Sequence, residues 1–184
     1  MKDSLYELWA KKNPKFEEQY LQEIIVKYAQ YGGGSDEKRD DSGKIYGSGY
    51  EMYIYAFFLG VYANYRRKLS DNKKGILGQP IQYWGNVGGR QNRTSYEKIR
   101  DYIFAILIAK TDVDYISLDK GEITPEEVVK SLLDTMEEYA NGGFQLIAQR
   151  QEEISDYFFK NTGFLDLILE YVAPKETDEV ESFD

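Results

Sequence analysis

Apolar residues recur along this chain mostly at helical spacing, and glycine, proline and capping residues mark the breaks. Ser4-Leu5-Tyr6-Glu7 has the form of a capping box, which predicts a short helix to about Lys12. Pro14 sits where a second helix would start. Phe16, Tyr20, Ile24 and Tyr28 then give one i, i+4 stripe up to Tyr31, where Gly32-Gly33-Gly34 stops it. Residues 32–48 are polar and glycine-rich without periodicity and read as a flexible loop. From Tyr50 to Leu69 almost every side of a helix would be apolar until Arg66, so this segment is expected to lie at the centre of the molecule.

Residues 70–93 are irregular, with Ile76-Leu77 and Ile81 to Trp84 as short extended pieces. A helix from Tyr96 to Ala109 follows, with Thr94 or Ser95 as its cap. Thr124-Pro125-Glu126-Glu127 is the strongest start signal, a capping box with proline at the first helical position. Its helix is expected to end at Asn141-Gly142-Gly143, so that Tyr139, Ala140, Asn141, Gly142 and Gly143 form a corner between two helices. Phe144 to Phe158 is the next helix, and Phe164 to Val172 the last. The expected fold is mainly α, a single compact multi-helix domain with one long glycine-rich loop and a disordered acidic tail. Its parts are residues 1–31 packing on the core, the loop 32–48, the core 49–173 and the tail 174–184.

Composition removes much chemistry. The 184 residues include no histidine and no cysteine. Imidazole acid–base catalysis, thiol nucleophiles, disulfides and His- or Cys-ligated metals are thereby excluded. The carboxylate doublets Glu126/Glu127, Glu137/Glu138 and Glu152/Glu153 point about 100° apart on a helix and make no acid–base pair. Asp112, Asp114 and Asp119 lack the glycine and the twelfth-position glutamate of a calcium loop. Gly85 to Gly89 lacks the Gly-Lys-Ser/Thr ending of a phosphate loop. No cofactor, metal or catalytic residue is expected, and a non-catalytic protein is the reading. No apolar run reaches the roughly 20 residues of a membrane helix, and a cytoplasmic protein is expected.

Charge is uneven. The chain carries −9, yet residues 66–100 hold nine basic and two acidic groups, leaving 14 basic and 30 acidic groups elsewhere. A global attraction to nucleic acid fails on the sum. Locally, Arg90, Arg93, Lys73, Lys74 and Trp84 are candidates for contact with a nucleic acid or other anion, the tryptophan by stacking. The other reading of this window is an internal match to the acids of the remainder.

Glu137-Glu138-Tyr139-Ala140-Asn141-Gly142-Gly143-Phe144-Gln145-Leu146-Ile147 resembles a motif of a small family of DNA-phosphorothioation-associated proteins. These are accessory proteins encoded beside the Dnd-type sulfur-modification and restriction genes of bacteria. The resemblance extends more loosely to Tyr53 to Gly60, Ile103 to Ala109 and Phe164 to Leu169, and spans about residues 50–172. It implies a helical accessory protein in DNA modification or phage defence. Partners would be proteins of a modification or restriction complex, with weak DNA contact at most. It carries no catalytic residues, and homo-oligomers are compatible with it. The alternative is a stand-alone helical protein-interaction module unrelated to DNA.

Overall fold

The computed structural model describes residues 3–31, 44–70, 73–88 and 93–172, and over these the protein is mainly helical with one two-stranded sheet. The helices are α1 (Leu5–Ala10), α2 (Val26–Tyr28, entered through a π-helical turn Leu21–Ile25), α3 (Gly49–Tyr62), α4 (Ile99–Lys110), α5 (Tyr115–Asp119), α6 (Pro125–Glu153) and α7 (Gly163–Val172). The strands are β1 (Lys15–Glu17) and β2 (Lys74–Ile76), antiparallel, with Phe16 opposite Gly75.

Both capping boxes form. Ser4 accepts from the Glu7 amide and Thr124 from the Glu127 amide, while each glutamate reaches back to the cap's own amide. The central helix is α3, buried on most of its circumference, as its apolar sequence requires. It ends at Tyr62 and not near Leu69, because Asn64 takes a positive φ of 47° and turns the chain away. Residues 65–70 then run without regular structure against α6, with the Arg67 amide bonded to the Glu138 carbonyl at 3.0 Å.

The expected corner at Tyr139-Ala140-Asn141-Gly142-Gly143 is overturned. α6 continues through it for 29 residues, and all five residues are buried in its middle. Two adjacent glycines weaken a helix by about 1 kcal/mol each relative to alanine. Here they serve as contact points. A Cβ on Gly143 would collide with the Ala56 carbonyl, one on Gly142 with the Tyr65 carbonyl, and one on Gly60 with the Tyr139 carbonyl. The helix is kept because α3 and its extension approach to backbone contact at these glycines.

The N-terminal helix expected from Pro14 is also corrected. Residues Lys15–Glu17 form β1, and the helical part starts only after it. The stripe itself is right: Phe16, Tyr20, Ile24 and Tyr28 are all buried. Backbone conformation there is set by partners in distant sequence, since the Lys15 amide donates to Glu137 Oε1 at 2.9 Å and the Ser70 amide to Glu17 Oε1 at 2.9 Å. α4 starts at Ile99, with no capping bond from a side chain. The segment after α6 is a 3₁₀ turn, Tyr157–Phe159, and Ile81–Tyr83 is another.

The loop expected over 32–48 is fixed in its last five residues. Lys44 Nζ donates to the Val26 and Lys27 carbonyls at 2.7 and 3.0 Å, and Tyr46 packs against Tyr55 and Phe164. The rest of that loop, 32–43, and the tail 174–184 lie outside the described residues.

Candidate interaction surface

Trp84 is corrected first. It is wholly buried, stacked on Tyr50 with centroids 5.7 Å apart, and its indole N–H donates to the Gln79 carbonyl at 3.0 Å. No face is left for a base. Its neighbourhood in sequence is glycine-rich and polar, and only the tertiary approach of α3 encloses it.

Arg93 is committed to α3. Its guanidinium forks onto Glu51, with Nη2 2.6 Å from Oε1 and Nη1 3.3 Å from Oε2. Glu51 is 8% exposed and also accepts from the Gly47 amide at 2.7 Å and from the Tyr96 hydroxyl. A buried carboxylate needs such partners, since desolvation otherwise disfavours its charge. The bond from Glu51 holds the Arg93 guanidinium more firmly protonated, and burial followed by the Glu51 bond pushes the Tyr96 phenol up. A side chain at position 47 would collide with Arg93, so the glycine makes room for the pair.

Lys73 and Lys74 are exposed at the start of β2. Lys73 shares a polar cleft of about 460 Å³ with Glu17 and Glu18, which disfavours an anion there. Arg90 lies outside the described residues. Three further arginines of the basic window are matched internally, while Lys68 and Lys98 are exposed. Arg66 binds Glu138 at 2.6 Å, Arg67 lies 3.7 Å from Glu17 and bonds Tyr20 and Gln145, and Arg100 lies 3.6 Å from Glu97. These pairings follow the internal-match reading of the window.

Asn141 ties this network to the core. At 1% exposure, its Nδ2 reaches Glu17 Oε1 at 3.2 Å and the Arg67 and Lys68 carbonyls at 3.1 and 3.2 Å. Burial pushes the Glu17 carboxyl up, but the Ser70 amide, Asn141 and Arg67 together outweigh it and hold it below its ordinary value. The role of Asn141 is to strap the extension of α3 onto α6. Asp114 of the presumed acidic loop likewise caps α5, accepting from the Ile116 and Ser117 amides.

The surface also carries an open apolar cleft. A cleft of about 450 Å³ runs between α3, α4 and α7, walled by Ile54, Tyr55, Phe58, Ile99 and Ile168, with Arg93 and Glu51 among its lining. Beside it, α7 exposes Leu165, Leu169 and Val172, which share one helix face by their i, i+4, i+7 spacing. Its opposite face buries Phe164 and Leu167 in the core. Sequence reasoning placed this helix but not its second apolar face. The signal was present, since Asp166 and Glu170 are the only charged residues between Gly163 and Val172. A second cleft, of about 520 Å³, opens beyond Ile45 and before α7, with Phe159 and two lysines in its wall.

No protein-family model, no curated protein and no solved structure matches this chain. The class defined by its fold is therefore a mainly helical domain, built on a glycine-mediated crossing of α3 and α6. Among the described residues, no helix is long and apolar enough to cross a membrane.

Proposed function

We propose that this protein is a non-catalytic accessory protein that works through protein contacts. The observation that carries the reading is the two-faced helix α7, whose Leu165, Leu169 and Val172 lie exposed beside an open apolar cleft. Contiguous exposed apolar side chains of this kind mark contact surfaces in soluble proteins. The engagement of Arg66, Arg67, Arg93 and Arg100 by acids of the same chain favours protein contact over DNA contact.

The setting we propose is a bacterial DNA-modification or defence complex. It is supported by the resemblance over Glu137 to Ile147, a segment that packs in the core and thus bears on kinship more than on a contact site. The test is capture from the native host with the intact chain and with Leu165→Glu/Leu169→Glu. Retention of modification or restriction proteins by the first and not the second is expected. Retention of the same proteins by both would overturn the α7 reading, and partners unrelated to DNA modification would leave the stand-alone interaction module. Duplex DNA, plain and phosphorothioate-modified, at about 50 and about 200 mM salt tests direct contact, because phosphate contacts weaken steeply over that range. Salt-sensitive binding would overturn the preference for protein contact.

A further inference from the structure

The second cleft joins an aromatic floor to two lysines. Its floor is aromatic: Tyr28 and Phe158 are buried, with ring centroids 5.5 Å apart, and both pack on Phe164. Its rim carries Phe159, 74% exposed, and Ile45, 52% exposed. An exposed phenylalanine beside an aromatic floor leaves apolar area that a partner side chain would cover.

Among the described residues that line this cleft, the charged groups are Lys27 and Lys160, with no carboxylate beside them. Both lysines are exposed and lie against aromatic faces, Lys27 Nζ 5.1 Å from the Tyr28 ring centroid and Lys160 Nζ 5.2 Å from that of Tyr157. On a chain of net charge −9 this is a local reversal of sign joined to an apolar notch. Such a combination suits a ligand with an apolar body and negative charge beside it. A long nucleic acid would have to continue over the acidic remainder, which repels it. A short acidic peptide segment needs only the notch and its two lysines.

We infer that the cleft formed by Tyr28, Phe158 and Phe159 receives an aromatic or large aliphatic side chain of a partner protein, flanked by carboxylates that meet Lys27 and Lys160. This rests on the protein-contact reading above and gives that partner its chemistry. Ile45 lines both clefts, so the notch adjoins the apolar cleft beside α7.

The experiment is fluorescence anisotropy on the full chain with a labelled nine-residue peptide, one phenylalanine amid acidic residues. Matched peptides carry alanine for the phenylalanine or lysine for the acids, and an oligothymidylate of similar length is the nucleic-acid arm. Binding is expected for the first peptide, weaker at about 200 than at about 50 mM salt as screening predicts. Loss of the phenylalanine should weaken it about tenfold. Lys27→Glu/Lys160→Glu should weaken it about tenfold as well, with the thermal midpoint unchanged, each exposed pair accounting for a few-fold. Equal binding by the charge-reversed chain, equal binding of the lysine peptide, tighter binding of the oligothymidylate, or no binding of the acidic peptide would each overturn the inference. Partner capture through Leu165 and Leu169 is read separately. If it persists while the peptide fails, the notch is wrong and the protein-contact reading stands; if both fail, both fall.

Discussion

Asn141 donates from a single amide nitrogen toward a carboxylate and two main-chain carbonyls, all supplied by segments that must stay docked on α6. Asn141→Ala should cost about 1–3 kcal/mol, read as a lower urea midpoint, because the acceptors it leaves are buried at Glu17 and half-buried at Arg67 and Lys68. Asn141→Asp should be worse at neutral pH, since it puts a second carboxylate against Glu17, and its deficit relative to the alanine variant should shrink on acidification. A deficit independent of pH would remove the carboxylate from the account. Glu137 has the opposite sign from Glu17. Burial raises its carboxyl above the ordinary value, with the Lys15 amide only partly offsetting this. A raised carboxyl penalises the fold above its folded pKa, and the penalty disappears as pH falls to the unfolded value near 4.5. Glu137→Gln keeps an acceptor for the Lys15 amide. Its stability gain over the parent should therefore be largest at neutral pH and vanish below that value, measured by urea denaturation across the pH range.

At the level of elements, the crossing of α3 and α6 is where glycine is required by space. Alanine at 143 would gain about 1 kcal/mol in helix propensity, but its Cβ meets a main-chain carbonyl that cannot rotate away. Gly143→Ala should be destabilising by about 1–3 kcal/mol net, measured by denaturation. A neutral or stabilising result would mean that the crossing relaxes easily. Thr124 tests the start of the same helix. Thr124→Ala removes the hydroxyl that accepts from the Glu127 amide and donates to the Glu127 carboxylate, while the Thr124 amide keeps its bond to that carboxylate, at a cost of about 1 kcal/mol, or about 2–4 °C in thermal midpoint for a chain of this size. The two substitutions lie on one helix but fail for unrelated reasons, so their costs should add within about 0.5 kcal/mol.

Across the whole molecule, the arrangement of charge and apolar surface matters more than either total. Acids outnumber bases, yet Arg66, Arg67 and Arg93 of the 66–100 window are paired with Glu138, Glu17 and Glu51 of the same chain. Part of the exposed apolar surface is grouped on α7, where Leu165, Leu169 and Val172 share one face, and another part lies at Ile45 and Phe159 around the second cleft. Leu165→Glu/Leu169→Glu should leave stability within about 0.5 kcal/mol of the parent while abolishing partner retention, because both side chains face outward. A large loss of thermal midpoint in that variant would instead assign α7's outer face to the fold.

The helical class, the two capping boxes, the central position of α3 and the Phe16–Tyr28 stripe follow from sequence alone, because capping and periodicity are local properties whose partners lie within a turn or two. Chemistry was legible mainly as exclusion, through the missing histidine and cysteine. The continuity of α6 through Asn141-Gly142-Gly143 was not legible, since those residues end helices when solvated and prolong one only when another backbone lies against them. The burial of Trp84 and the capture of Arg93 by Glu51 depend on pairs 34 and 42 positions apart, which no local pattern encodes. Local sequence chose the elements. Their packing decided which charges face inward and which apolar faces stay open, because burial and ion pairing are settled between segments and not within them.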